Sequence, residues 1–160
     1  MTTQYTIVLI AYVSESRIAA EDDFWSRATA VIELTDAFPE EALLGLADFS
    51  HVEVLFLFHQ VAEEKIVIAN RHPRNNPDWP AVGVFAQRAK SRPNRLGSTI
   101  CRIISVSDRR LTVAKLDAID GTPVIDLKTR DDSVSASSTV TQPQWTHELM
   151  RSYWSSHSDK

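Results

Sequence analysis

With one cysteine, Cys101, among 160 residues, the chain has neither an internal disulfide nor a metal site built from thiolates. That cysteine lies in the apolar stretch STICRIISV, residues 98–106, which marks it as a buried core side chain rather than a nucleophile. Glycine is scarce too: the four in the chain never approach the G-x-G-x-x-G spacing, so a dinucleotide-type Rossmann site is excluded. No apolar run is long enough to span a bilayer. The strand-length run Tyr5–Tyr12 has no basic region before it, so the sequence predicts no secretory leader, no membrane association and a cytoplasmic protein. Metal-ligand spacing is missing as well. His51 and His59 share one strand face but stand roughly 26 Å apart at about 3.3 Å per residue, so no metal cofactor is expected. No internal repeat is visible.

What the chain does have is an uneven charge. The net of −4 argues by itself against nucleic acid, but the distribution reverses that impression. Residues 1–70 carry 3 Lys+Arg against 12 Asp+Glu, whereas residues 71–110 carry 9 against 2. More than half of the basic side chains thus fall in one quarter of the sequence, a candidate phosphate-attracting surface on an acidic whole; the alternative is a solvated basic loop.

Hydrophobic residues, at 43%, suit one domain with a real core. Tyr5–Tyr12 reads as a first strand, residues 14–23 as an acidic loop, Ala28–Leu34 as a second strand and Pro39–Leu46 as a short helix. The clearest strand is HVEVLFLFHQV, residues 51–61, in which Val52, Val54, Phe56 and Phe58 form an apolar face. Its other face, carrying His51, Glu53, Leu55, Leu57 and His59, is mixed and is a candidate site wall or subunit interface. Further strands fit Lys65–Ala69, Val82–Gln87, Ser98–Val106, Leu111–Leu116 and Pro123–Leu127, with SDRR, residues 107–110, as a hairpin turn. Seven or so short strands with few helices predict a mainly β protein, a small closed β-barrel with short helices. Residues 131–141 read as a linker, and Gln144–Trp154 as a C-terminal amphipathic helix with an aromatic stripe at Trp145, Leu149, Met150, Tyr153 and Trp154. The expected division is residues 1–130 as a barrel and 131–160 as linker and helix packing on it or on a second subunit.

Function concentrates in four turn-rich blocks: RHPR (71–74), GVFAQR (83–88), SRPNRLG (91–97) and LDAIDGTPVIDLK (116–128). Loops of Arg, Pro, Asn, Asp and Gly hold a polar, charged ligand on a rigid scaffold. Asp117 and Asp120 flank a turn and can accept from hydroxyl or ammonium groups, or simply cap the turn. Gly121 lets backbone approach a ligand, and Arg88 can fork onto a carboxylate. Arg92, Pro93 and Asn94 are either ligand contacts or a rigid surface turn, and His72 is either a phosphate or base contact or a surface histidine.

The order and wording of these blocks, with DFSH at residues 48–51 before them, resemble the TrmO family of S-adenosylmethionine-dependent tRNA adenine N6-methyltransferases over about residues 30–128. Several blocks in fixed order make the likeness specific. Arg95 and Leu96 stand where the family pattern RPNPIG has proline and isoleucine. The resemblance implies an S-adenosylmethionine site near the interface of a homodimer. Carried over, it points to His59, Gln60, Arg88, Arg92, Asn94, Ser98, Leu116, Asp117, Asp120, Gly121 and Thr122 for the cofactor. It also implies a tRNA substrate, with Arg71, His72, Arg74, Lys90 and Arg95 as candidate contacts. Methyl transfer is an in-line displacement in which positioning supplies much of the rate, and Asp120, Asp126 or a backbone carbonyl is a candidate acceptor for the proton the adenine amine must shed. The function expected is methylation of N6 of the modified adenosine at position 37 of tRNA. The alternatives are a cofactor-binding regulatory or interaction module without that activity, and a methyltransferase for a small molecule.

Overall fold

The computed structural model describes residues 3–131, 133 and 139–156. Six strands close into an antiparallel barrel: β1 (Ala11–Ser14), β2 (Thr29–Leu34), β3 (His51–Leu57), β6 (Leu96–Ser107), β7 (Arg110–Ala114) and β8 (Pro123–Thr129). Around the barrel the order is β1-β2-β7-β6-β3-β8. A separate two-stranded ribbon pairs β4 (Asn70–Arg71) with β5 (Val82–Gly83), and one helix, α1, spans Gln144–Met150. The barrel with few short helices and one C-terminal helix is the fold expected from the strand pattern.

Period-two alternation sets the barrel wall. β3 is paired along its whole length, His51 opposite Arg102 through Leu57 opposite Leu96 on one side and Val52 opposite Thr129 through Phe56 opposite Val124 on the other. Its even positions Val52, Val54 and Phe56 are buried, as the alternation requires, and meet Ile32, Leu111 and Val113 inside. Burying each such side chain is worth roughly 1.5–3 kcal/mol. Gly97, the glycine of SRPNRLG, sits opposite Phe56, and a Cβ there would stand 2.5 Å from the ring Cζ. That glycine is therefore set by core packing. Cys101 is fully buried on the same inner face, opposite Val52.

Several elements are shorter than, or different from, those the pattern predicts. The first strand begins only at Ala11; Tyr5, Ile7 and Val8 are exposed, because main-chain bonds to β8 and to the end of β2 start at Ile10. In place of a helix over Pro39–Leu46 there are two 3-10 turns, Glu40–Leu43 and Leu46–Asp48, separated where Gly45 takes φ 82°. The expected strand at Lys65–Ala69 is a 3-10 turn ending at Lys65 followed by irregular chain, and the pairing falls on Asn70–Arg71 instead. Val82–Gln87 pairs for two residues and then turns through Val84–Ala86. The hairpin at SDRR forms, with Asp108 at φ 52°. Helix α1 ends at Met150 and continues as a turn. The linker expected at 131–141 lies largely outside the described residues. No helix among the described residues is long and apolar enough to cross a membrane.

Candidate functional site

Three of the four blocks are stitched together by Gln87 and Ser91. The buried Gln87 side-chain amide donates to the carbonyls of Arg71 (3.2 Å) and Val82 (2.9 Å), and the backbone carbonyl of Gln87 accepts from Arg92 Nη1 at 3.2 Å. Val67 N–H bonds to Ser91 O and Val84 N–H to Ala69 O. Arg88, exposed, donates through Nη2 to the carbonyl of Ser98 on β6, and the Ser98 hydroxyl bonds to Glu53 on β3. His59 and Gln60 form an exposed turn just past β3, and Asn94 is exposed in the turn that brings Arg95 N–H to Arg92 O at 2.9 Å.

The LDAIDGTP turn is held by a different set of partners. Asp120 N–H bonds to Arg17 O (2.7 Å), Gly121 N–H to Val13 O (2.7 Å) and Val13 N–H to Thr122 O (2.9 Å), which locks the turn against β1 and the loop behind it. Gly121 takes φ 79°, a conformation that favours glycine. Asp120 is exposed, with Ser16 N–H at 3.5 Å from Oδ1. Asp117 is half-buried and engaged at both oxygens: Oδ1 accepts from the Thr99 hydroxyl and Oδ2 from the Tyr153 hydroxyl. Burial and the Asp117 charge hold the Tyr153 phenol far above its ordinary range, so it stays a donor. Burial, aided by Asp117, also pushes the Cys101 thiol up to about 12, so it stays protonated at neutral pH.

Two of the sequence-derived candidates are placed where their side chains cannot face a ligand. Leu116 is fully buried in the barrel core and Thr122 is 2% exposed, so only their backbone can line a site. Asp126 is already engaged, by Leu127 N–H at 2.9 Å and Lys128 Nζ at 3.0 Å. The basic quarter is likewise partly neutralised. Arg74 pairs with Asp23 (2.8 Å) and Lys90 with Asp22 (3.2 Å), and the hydrogen bond to Asp23 raises the pKa of Arg74. Arg95 Nη1 bonds to Val61 O at 2.9 Å, and His72 Nδ1 lies 2.6 Å from Trp79 O. Arg71 is half-buried in β4.

The residue that sequence reasoning missed is Tyr153, assigned only to an aromatic stripe, together with the acidic pair Asp22 and Asp23. The acidic loop was visible as composition, but nothing local pairs it with positions 74 and 90, more than fifty residues away. A shallow surface groove, lined by Tyr12, Ser14, Glu33, Leu34, Thr35 and Asp36, lies along β1 and β2. It contains no residue of the four blocks and no cation to receive a carboxylate. Among the described residues no group of three or more His, Cys, Asp or Glu could hold a metal.

A closed antiparallel barrel whose loops, rather than a glycine-rich strand-helix turn, carry the exposed Arg88 and Asp120 and the half-buried Asp117 defines a class of small barrel proteins distinct from the dinucleotide-binding folds. Within that class the chain belongs to the tRNA-methyltransferase O N-terminal domain family, matched over residues 8–131. It is 44% identical over 102 residues to the putative S-adenosylmethionine-dependent methyltransferase RcsF of Pseudomonas aeruginosa, covering 63% of this chain and 42% of that protein. It is 38% identical over 92 residues to the tRNA (adenine(37)-N6)-methyltransferase of Escherichia coli, covering 55% of this chain and 39% of that one. The crystal structure of TrmO from Pseudomonas aeruginosa superposes with TM-score 0.72 at 28% identity, covering 91% of this chain and 63% of the other. The chain thus spans less than half the length of these two sequence relatives.

Proposed function

We propose that this protein is an S-adenosylmethionine-dependent methyltransferase that methylates N6 of the modified adenosine at position 37 of tRNA. The observation that carries the reading is the meeting, on adjacent residues of β6, of the Arg88 contact at Ser98 and the Asp117 contact at Thr99. This brings GVFAQR and LDAIDGTP, two blocks separate in sequence, to neighbouring positions along β6. Membership of the family and the names of the relatives support the same donor and acceptor.

The residues present fit the cofactor's chemistry. Arg88 offers exposed guanidinium donors for its carboxylate, Asp117 and Asp120 offer acceptors for its ammonium or ribose hydroxyls, and the glycine at 121 leaves room for close approach. When bound, S-adenosylmethionine supplies a methyl group on a sulfonium, a leaving group good enough that alignment does most of the work. The chain's own task is to place the adenine amine in line and take up its proton. Of the two carboxylates named from the sequence, Asp120 is exposed and carries one long contact, whereas Asp126 is tied to Lys128; Asp120 is the better acceptor.

The reading includes a homodimer with the cofactor near the subunit interface, a cytoplasmic setting in which tRNA is met, and a barrel of residues 1–130 with residues 131–160 as linker and arm. Arg71, His72, Arg74, Lys90 and Arg95 are its tRNA contacts. An anticodon loop suits such a surface, since its bases leave their stack at low cost. Calorimetric titration with S-adenosylmethionine, run beside transfer of labelled methyl to tRNA bearing the modified adenosine, tests it. Saturable binding, weakened by Arg88→Ala, together with labelled tRNA is the expected result. Binding without transfer would replace it with a cofactor-binding module, and light scattering that gives only an 18 kDa monomer would remove the shared site.

A further inference from the structure

The segment after α1 lies over the LDAIDGTP turn and the acidic loop together. Phe24 N–H bonds to Ser152 O at 3.2 Å and Trp25 N–H to Tyr153 O at 2.9 Å, so the arm is fixed by main-chain bonds on both sides of position 153. Ser26 Oγ bonds to Ser155 O at 3.0 Å. One turn into α1, Glu148 accepts from Trp79 Nε1 at 2.7 Å, which ties the helix to the loop that follows RHPR. The acidic loop under the arm is itself braced: Arg17 donates to the carbonyls of Asp23 and Phe24 and stacks 4.4 Å over the ring of Trp25. The tyrosine hydroxyl therefore reaches Asp117 from a backbone that is anchored independently of that contact.

From this geometry we infer that Tyr153 is a positioning residue of the cofactor site: with Thr99 it holds the Asp117 carboxylate in one orientation, so that the remaining lone pairs of both oxygens face the ligand. A carboxylate has about four acceptor positions and the protein fills one on each oxygen, leaving acceptor capacity for an ammonium or a ribose diol. A hydroxyl that fixes a ligand-binding carboxylate acts as do the outer partners that orient metal ligands, whose loss weakens binding although they touch nothing that is bound. Thr99 is 8% exposed and comes from the barrel wall, whereas Tyr153 comes from an arm outside the barrel. The site is thus completed by a part of the chain beyond residues 8–131, the span that matches the family.

This inference rests on the proposed S-adenosylmethionine site, and the test keeps the two apart. Wild type, Tyr153→Phe, Asp117→Asn and the double variant are titrated with S-adenosylmethionine, and their melting temperatures are compared. Tyr153→Phe keeps the ring and the backbone anchors, so it should melt as the wild type does and bind about three- to tenfold more weakly, the size of one net hydrogen bond. The double variant should bind no more weakly than Asp117→Asn alone, because the hydroxyl acts only through that carboxylate. Should Asp117→Asn bind too weakly to measure, Thr99→Val takes its place, with a loss of the same size expected when it is made alone. Unchanged affinity in Tyr153→Phe overturns the inference while leaving the cofactor site standing, as do losses that add in full. A wild type that binds no S-adenosylmethionine overturns the functional reading first and this inference with it.

Discussion

The barrel wall and the loop layer at its rim are held by different forces. In the wall, β3 is bonded to β6 and β8 along its length, and its inward residues Val52, Val54 and Phe56 are 1% exposed or less. At the rim, side chains do the joining: Gln87 to Arg71 and Val82, Arg88 to Ser98, Tyr153 and Thr99 to Asp117, Arg74 to Asp23. Ladder bonds and apolar burial are redundant and cooperative, whereas each rim contact is singular. Changes in the wall should therefore be read in stability, and changes at the rim in ligand affinity.

The largest expected effect lies in the wall. Phe56→Ala removes a fully buried ring and should cost about 3–5 kcal/mol, seen as a large fall in denaturant midpoint. Gly97→Val should be similarly damaging although it adds atoms, since Phe56 already fills the space a Cβ needs. If either variant keeps its midpoint and loses only cofactor affinity, the division between wall and rim fails.

Alkaline pH should act on both regions at once. The folded chain keeps the proton of Cys101 up to about 12 against an ordinary 9.0, and that of Tyr153 well above its ordinary value. Because the unfolded chain gives these protons up first, the contribution of these two groups to stability should be complete below about pH 9 and be lost as pH rises toward 12. Chemical denaturation across that range measures it, and Tyr153→Phe should flatten part of the slope.

A smaller effect is expected at the acidic loop. The Arg74 pair with Asp23 is partly exposed and contributes less than about 1 kcal/mol to folding, so replacing Asp22 and Asp23 by asparagine should leave the melting temperature nearly unchanged. The same change frees Arg74 and Lys90 and should tighten tRNA association and steepen its salt dependence. Weaker association would instead assign the loop to RNA contact. The smallest effect is that of Arg95→Ala, which should flatten the salt slope by no more than about one unit, one guanidinium nitrogen being already spent on Val61 O.

Much of the wall was legible from local rules. Alternation over residues 51–61 gave both faces of β3, although the strand ends at Leu57 and residues 58–61 leave it through a turn; SDRR gave a hairpin, and the apolar stretch around Cys101 gave a buried thiol. The misreadings fell where an apolar run lacks a neighbour to pair with. Tyr5–Tyr12 and Lys65–Ala69 have strand composition, but pairing is a property of two segments: the first finds partners only at its carboxyl end, and the second makes main-chain bonds without entering a strand. Leu116 and Thr122 show the converse at the candidate site: they lie inside the LDAIDGTP block, yet their side chains are buried in the protein.

The sequence by itself determined the barrel class, the apolar face of its central strand and the four blocks by which the chain resembles its family, because periodicity and turn residues act over a few positions. Only the tertiary structure decided that Asp22 and Asp23 neutralise Arg74 and Lys90, and that Tyr153 closes on Asp117 from 36 residues away. Such contacts depend on how distant segments return to one rim. Hydrogen bonds and ion pairs act at about 3 Å, so only the folded path of the chain can say which donors and acceptors meet.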